Sequence, residues 1–210
     1  MFSFSKSFNI ISVFFVLMNF SEQKKQVLSR EDRSRKGSID KRIVKLCNII
    51  NSSNDYYTTS SCSGRIMLYA RKSFKKNETE WIYVSHEAVK FSDVKKALDE
   101  VGIPKETMWL KAEPMIIHIC ARTDEKAAEM LNIAKECGFK RAGIIAMGKR
   151  TIIEITSTEI IDALISGKGK MLVDDAYVKK LISEGNKKLK RNFERIKKFE
   201  DKAKGELRIK

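Results

Sequence analysis

The stretch from Thr58 to Arg65 has the residue types in this sequence that are best suited to holding a ligand. It runs Thr-Thr-Ser-Ser-Cys-Ser-Gly-Arg. Such small side chains bury little apolar area, so the composition predicts a loop and not a packed element. Its hydroxyls, N–H groups and thiol are available to a ligand, and Gly64 lets backbone approach closely. A plain Ser/Thr-rich surface turn is the alternative. The strand predicted directly after the stretch favours the ligand loop, because it would hold the loop in place.

Two histidines, His86 and His118, are the side chains that exchange protons most readily near neutral pH. His86 ends one predicted strand, and His118 lies inside another. A buried histidine with satisfied hydrogen bonds is the alternative for each. With Cys62 or Ser61 they would suit a hydrolase, but neither residue lies in a nucleophile elbow, which disfavours that function.

Two carboxylates, Glu113 and Asp40, occupy the ends of predicted elements. Glu113 precedes Pro114 at the end of a strand. Asp40 lies in the first turn of a predicted helix, where complementing the helix dipole is the alternative to a functional role.

The cysteines have no CxxC or histidine-paired spacing, so no metal site is predicted. Their wide spacing indicates free thiols, mostly in the core, in a reducing compartment that we take to be cytoplasmic. The four are Cys47, Cys62, Cys120 and Cys137.

The charge balance indicates a polyanionic partner. Lys and Arg number 42 against 27 Asp and Glu, a net charge of +15. A field of this sign attracts nucleic acid first and an anionic membrane second. Eleven of the basic residues lie between Lys179 and Lys204, along one predicted helix. That concentration favours contact with RNA phosphates, an ordinary solvated helix face being the alternative.

The elements that must position these residues follow from apolar periodicity. Helices are predicted at about 39–51 with Ser38 as N-cap, 91–102 with Ser92 as cap, 124–137, and 174–204. The long last helix is expected to pack through Tyr177, Leu181, Leu189, Phe193, Ile196 and Ala203. Strands are predicted at 65–71, 80–86, 108–113, 115–121, 142–147 and 150–157. Helices and strands do not alternate strictly, which indicates an α+β fold with a mixed or largely antiparallel sheet and flanking helices.

Residues 1–20 differ from the rest of the chain. Their apolar run of about nine residues is too short to span a bilayer, and no cleavage site of the signal-peptide type follows it. Translation from Met18, a packed or loose extension, and a targeting segment all remain open. We divide the chain into this leader, an α+β catalytic domain at 21–170, and a basic C-terminal helix at 171–210 packed on the same domain.

Several segments together resemble the third protein of tRNA wybutosine synthesis. They include the serine-cysteine stretch, the strand ending at His86, and the Lys-x-Glu-Pro-x-x-x-His pattern from Lys111 to His118. Others are Ser34–Asp40, Gly138–Arg141, Gly148–Arg150, Ser157-Thr158 and Gly167–Met171. They occur in the family's order over about residues 21–200. The sequence departs from the family pattern at Ala112, Ala142 and Thr156.

The resemblance implies an S-adenosylmethionine-dependent methyltransferase that is not of the Rossmann type. Its substrate would be phenylalanine tRNA, met at the anticodon region, where it would methylate N-4 of a demethylwyosine base bearing an aminocarboxypropyl chain. A binding-only RNA module is the alternative. No membrane partner is expected.

The resemblance also implies roles for individual residues. Proton transfer and catalysis would involve His86, His118 and Asp40. The cofactor would be held by Ser60, Ser61, Cys62, Gly64, Arg65 and Glu113. The RNA would meet Arg35, Lys36, Lys149, Arg150, Lys187, Lys188, Lys190 and Arg191.

Overall fold

The computed structural model describes residues 18–30, 39–71 and 79–207. Its helices are α1 (Phe20–Leu28), α2 (Lys41–Ser52), α3 (Phe91–Val101), α4 (Asp124–Glu136) and α5 (Asp175–Glu206). Its strands are β1 (Tyr56–Cys62), β2 (Arg65–Arg71), β3 (Thr79–Ser85), β4 (Thr107–Glu113), β5 (Ile116–Ala121), β6 (Gly143–Ala146), β7 (Thr151–Thr156), β8 (Ile161–Gly167) and β9 (Lys170–Met171). Within these ranges, no helix has both the length and the apolar character needed to cross a bilayer.

The strands form two sheets, and every strand pair in them is antiparallel. The first sheet has the order β1-β5-β7-β6, and the second has the order β3-β2-β4-β8-β9. The predicted α+β class with largely antiparallel pairing is therefore confirmed. The division into two sheets is a feature that the periodicity does not predict.

Each sheet covers its own apolar core, and α5 contributes to both. The first core joins the first sheet to α2, α4 and the C-terminal part of α5, which contributes Ile196 and Phe199. The second core joins the second sheet to α3 and the N-terminal part of α5, which contributes Val178 and Leu189. Phe193 packs against both cores. The long helix thus fixes the two sheets relative to each other.

The chain passes between the sheets at three links, residues 63–64, 114–115 and 157–160, and the first two lie side by side. Ser63 and Gly64 link β1 of the first sheet to β2 of the second. Pro114 and Met115 link β4 of the second sheet to β5 of the first. Proline suits such a link, because it cannot donate to a strand ladder. The functional motifs of the sequence therefore converge on the junction between the sheets.

The prediction of a loop for the serine-cysteine stretch is wrong for residues 58–62, which lie in β1, and is confirmed for Ser63 and Gly64. Tyr56 and Tyr57 are buried and anchor the start of this strand. The ladder with β5 then supplies hydrogen bonds to the backbone, interrupted by a bulge between Thr58 and Ser60. Backbone pairing therefore stabilises this edge strand where its small side chains could not.

Three local predictions also need correction. Tyr177 is 47% exposed, because the neighbouring Val178 takes the buried position about 100° around the helix. Lys90 and not Ser92 precedes α3 as its N-cap. The apolar periodicity does not predict β8 or β9, because β8 breaks strict apolar alternation at residues 163–165 and β9 has only two residues. Ser38 lies outside the described residues, and Asp40 occupies the N-cap position of α2.

The predicted leader lies almost wholly outside the described residues. Its last residues belong to the fold, since Asn19 caps α1 and the Phe20 ring packs 5.2 Å from that of Tyr57. Residues 171–206 do form mainly one helix, as expected. Cys47, Cys120 and Cys137 are buried free thiols, as the sequence predicted.

Candidate active site

Asp40 is buried at the start of α2, but its side chain does not cap that helix. Instead, Oδ2 accepts hydrogen bonds from the backbone N–H of Ser63 at 2.9 Å and from the Ser63 hydroxyl at 3.2 Å. The same oxygen lies 3.2 Å from Nδ1 of His86. The hydrogen bonds of this carboxylate thus serve residues outside the helix that Asp40 precedes. It ties the link between β1 and β2 to a histidine.

His86 follows β3, and its ring is held through one nitrogen. Nδ1 lies 2.9 Å from the carbonyl oxygen of Gly64 and also faces Asp40. Both neighbours are acceptors, so we assign the ring proton to Nδ1. Nε2 then carries a lone pair, and no described residue donates to it. The arrangement provides an oriented proton acceptor.

Cys62 completes a compact cluster with these two residues. Its Sγ, a carboxylate oxygen of Asp40 and a ring nitrogen of His86 all lie within 4.8 Å of one another. Burial raises the pKa of the Cys62 thiol, so it stays protonated near neutral pH. The Asp40 oxygen and His86 Nδ1 already serve hydrogen bonds. The donor set therefore suits a hydrogen-bonded site better than a metal centre, and it lacks an activated thiolate.

Arg65 begins β2 at the edge of the cluster. Its Nε donates to Glu113 Oε2 at 2.8 Å, and its guanidinium lies over the ring of Trp81, 4.5 Å from the centroid. Burial alone would raise the pKa of Glu113, but the charge and hydrogen bond of Arg65, followed by those of Lys111, lower it. Glu113 is therefore a stable anion. Among the described residues Arg65 makes its hydrogen bond through Nε alone, so its terminal amino groups can meet a second anion.

Asn192 on α5 holds together the two neighbouring links between the sheets, a role that no local residue pattern indicated. Its fully buried amide donates to the Ser63 carbonyl at 2.8 Å and accepts from the Met115 N–H at 2.7 Å. Gly64 has a φ of +98°, and an added Cβ would meet Asn192 Nδ2 and the Glu113 carbonyl at 2.9 Å. A side chain at Gly64 would therefore displace the junction.

The remaining predicted residues of the motif lie beside this cluster on β1. Ser61 lies beside the thiol of Cys47, whose pKa rises to about 11, mainly because it is buried. Ser60 is exposed and bonds His118, which also contacts Glu154. The structure thus brings together Asp40, Cys62, Gly64, Arg65, His86 and Glu113, and it places Ser60 with His118 in a separate group.

The chain matches the Methyltransferase TYW3 family over residues 22–205. It belongs to that family. A methyltransferase of Thermococcus sibiricus named for N(4) of 7-(3-amino-3-carboxypropyl)-4-demethylwyosine(37) in tRNA(Phe) is 38% identical over 87% of this chain and 93% of its own length. The human tRNA wybutosine-synthesizing protein 3 homolog is 34% identical over 86% of this chain and 70% of its own length.

Two solved structures have the same fold as this chain. The PH1069 protein of Pyrococcus horikoshii superposes with a TM-score of 0.81 at 35% identity, covering 88% of this chain and 96% of its own. A hypothetical protein of Aeropyrum pernix gives a TM-score of 0.68 at 26% identity, covering 81% of this chain and all of its own. The resemblance stated from the sequence is thereby confirmed.

The cationic residues predicted to meet RNA are distributed over α5 and one hairpin. Arg191 and Lys188 of α5 pair with Glu159, as does Arg195. Three cations around one carboxylate leave a positive cluster, which we call the Glu159 cluster. Side-chain hydrogen bonding to Arg191 lowers the pKa of Glu159. Asn192 of the same helical segment reaches Ser63, so this TYW3-family chain places the cluster near its candidate site.

The other predicted RNA contacts are less concentrated. Lys187 pairs with Glu184 on the same helix, whereas Lys190 is exposed and has no ion-pair partner among the described residues. Lys149 is an exposed residue of the link between β6 and β7, and Arg150 follows it. Arg35 and Lys36 lie outside the described residues.

Proposed function

We propose that this chain transfers a methyl group from S-adenosylmethionine to N-4 of an aminocarboxypropyl-demethylwyosine base at position 37 of tRNA(Phe). The observation that carries the proposal is the His86 ring, oriented by Asp40 and by the Gly64 carbonyl with Nε2 left as a proton acceptor. Methylation at a ring nitrogen that bears hydrogen requires such an acceptor. The names of the family relatives supply the substrate and the atom methylated.

The donor set fits the cofactor. Bound S-adenosylmethionine supplies an electrophilic methyl group on a sulfonium. Its carboxylate matches the terminal amino groups of Arg65, and hydroxyls and N–H groups of the motif offer further bonds. Glu113 is held as an anion and suits ribose hydroxyls or the amine. A carboxylate-to-guanidinium contact of this kind contributes roughly 1.5–3 kcal/mol.

The chain's own residues have two tasks in this reaction. They align two ligands for an in-line displacement, and they remove one proton. Asp40 keeps His86 in the tautomer that accepts at Nε2 and stabilises the ring after it gains the proton. Cys62 contributes a neutral thiol beside them, since burial raises its pKa.

The Glu159 cluster is the part of α5 best placed to hold tRNA phosphates. Its three cations outnumber the carboxylate, and it lies within about one helical turn of Asn192. Phosphates held there would bring an RNA base toward the junction between the sheets. Lys149, Arg150, Lys187 and Lys190 would extend the contact.

A direct assay tests the proposal. Purified full-length protein is incubated with S-adenosylmethionine and with tRNA(Phe) from cells that lack this activity. The masses of the tRNA nucleosides are then measured by mass spectrometry. The expected result is a demethylwyosine derivative one methyl group heavier. His86→Asn, which keeps a donor toward the Gly64 carbonyl but lacks the Nε2 acceptor, should leave the mass unchanged over the same time.

A matched variant controls for charge and folding. Arg122 pairs through Nε with Asp55 at 3.0 Å and lies over the Phe20 ring at 4.6 Å, so it has a carboxylate and a ring partner as Arg65 does. It also donates through Nη2 to the Asn54 carbonyl at 2.7 Å. Arg122→Ala should methylate normally, whereas Arg65→Ala should not at limiting cofactor. An unmodified nucleoside with the wild-type protein, despite measurable cofactor and tRNA binding, would contradict the proposal.

A further inference from the structure

Three side chains form a row across the first sheet, outside the cluster around Asp40. Ser60, His118 and Glu154 lie on β1, β5 and β7, and strand register pairs each with the next. The Ser60 Oγ lies 2.8 Å from His118 Nδ1, and His118 Nε2 lies 2.9 Å from Glu154 Oε2. We call these three residues the cross-strand row. Such direct neighbours interact across antiparallel strands.

The partners in the row fix which atoms donate. An ionised Glu154 can only accept, so Nε2 of a neutral His118 carries the ring hydrogen. Nδ1 must then accept, and the Ser60 hydroxyl donates to it. The tautomer is assigned from these partners. Since Ser60 is exposed and its single hydrogen is used, its lone pairs can serve a ligand only as acceptors.

The row lies close to the candidate site. Ser60 precedes Cys62 by two residues on the same strand, a separation of roughly 7 Å. The Cys62 sulfur is in turn within 4.8 Å of Asp40 and His86 atoms. A ligand of nucleoside size at the junction would therefore reach Ser60.

We infer that Glu154 is a positioning residue which, through His118, fixes the Ser60 hydroxyl as an acceptor for the α-ammonium group of an amino-acid moiety. This inference rests on the proposed function for its two possible ligands. S-adenosylmethionine carries such a group, and so does the 3-amino-3-carboxypropyl chain named in the relatives' substrate. An ammonium is a donor only, so it matches an acceptor-only hydroxyl. The carboxylate of Glu154 at the far end of the row favours the positive charge.

The first test examines the row in the free protein. Because the sequence has two histidines, their imidazole nitrogen signals can be assigned by NMR with His86 as the internal reference. We expect His118 to show a proton on Nε2 that exchanges slowly with water. Glu154→Ala should lose that protection while the His86 signals stay in place. An unchanged His118 signal in this variant would overturn the inference.

The second test separates the two sources of the ammonium group. Calorimetry compares S-adenosylhomocysteine with 5′-methylthioadenosine, which lacks the amino-acid moiety. Steady-state methylation compares tRNA whose demethylwyosine base bears the aminocarboxypropyl chain with tRNA whose base lacks it. In one of these two pairs, Glu154→Ala should weaken the affinity or the methylation efficiency about tenfold for the compound that bears the amine. The compound of that pair that lacks the amine should be unaffected. Equal effects on both members of each pair, or no effect, would overturn the inference.

A double-mutant cycle shows whether Glu154 acts through His118 on Ser60, which we call the relay, or whether the residues contact the ligand independently. Ser60→Ala should reproduce the loss seen with Glu154→Ala, and combining them should add almost nothing, because both remove one hydrogen-bonded unit. Glu154→Gln retains an acceptor oxygen and should restore most of the affinity. Additive losses would contradict the relay. If Glu154→Ala does not fold, Glu154→Val, which suits a strand, takes its place.

Failure of this inference and failure of the proposed function give different results. Non-additive losses of S-adenosylhomocysteine affinity in the double-mutant cycle, together with no methylation of tRNA, would overturn the proposed function alone. Normal methylation with an additive cycle would overturn the role of Glu154 alone.

Discussion

His86 and His118 both lie beside a carboxylate, but the two pairs are built differently. Asp40 is buried, also binds Ser63, and leaves Nε2 of His86 free for a ligand. Glu154 is half-buried, and both nitrogens of His118 are engaged. The first pair can therefore exchange a proton directly with a substrate. The second can act only through Ser60, by directing a hydrogen bond.

The largest effect is expected from Asp40→Ala, which tests the buried pair. Removing the carboxylate leaves the Ser63 N–H and hydroxyl without their acceptor, so the free energy of unfolding should fall by about 3 kcal/mol. Methyl transfer should fall at least about 100-fold, because His86 loses its orientation. Urea unfolding and single-turnover assays measure the two effects. Glu154→Ala should leave the free energy of unfolding nearly unchanged. An equal loss of stability in Asp40→Ala and Glu154→Ala would show that the two carboxylates are not structurally different.

The next effect separates the histidines by their kinetics. His86→Asn should lower kcat about 100-fold and leave the affinity for S-adenosylhomocysteine intact, since it removes a proton acceptor. His118→Asn should instead weaken binding with a smaller change in kcat. Steady-state rates and calorimetry on both variants measure this. Matching changes in kcat would show that the two rings share one role.

Arg65→Ala tests whether the junction holds the cofactor. Loss of a charge-assisted bond should weaken S-adenosylmethionine binding by roughly tenfold or more. Arg122→Ala is the matched control, because Arg122 has the same kind of carboxylate and ring partners away from the junction. Calorimetry measures both. Equal affinities in the two variants would remove Arg65 from the cofactor site.

The ion pair of Glu113 should make the free energy of unfolding depend on pH in the acidic range. The pKa of this carboxyl is lowered from 4.5 in the folded protein, so its stabilisation is fully present above that value. It is lost as pH falls through the lower folded-state pKa. Urea titrations at several pH values should show wild type exceeding Glu113→Gln at neutral pH, with the difference shrinking in acid. Parallel curves would contradict the assignment.

The smallest effect is expected from the basic residues of α5, which belong to neither histidine pair. Replacing Lys187, Lys188, Lys190 and Arg191 by Gln should flatten the salt dependence of tRNA binding by a log–log slope of about 0.7–0.9 for each phosphate that the variant no longer binds. Cofactor affinity should not change. Lys188→Gln with Arg191→Gln should account for most of the change if the Glu159 cluster is the main RNA-binding surface. An unaltered slope would indicate an ordinary solvated face.

Local sequence predicted most of the secondary structure. Apolar spacing in α2, α4 and α5, and the turn residues around β6 and β7, act over a few residues and are readable without tertiary information. The loop predicted for Thr58–Arg65 is wrong at residues 58–62, because β5, the partner that makes them a strand, is far away in the chain. The apolar spacing predicts Tyr177 as a packing residue, although Val178 is the buried one, because such spacing locates the buried face of a helix only to within one residue.

The composition, the serine-cysteine motif and the two histidines determined the chemistry that this chain can offer and its family. Only the tertiary structure decided how that chemistry is divided. Asp40, Ser63 and His86 meet because two chain links cross between sheets at one point, pinned by Asn192. Ser60, His118 and Glu154 meet because strand register places them side by side. Such pairings depend on backbone ladders and core packing between distant segments, which local residue patterns do not encode.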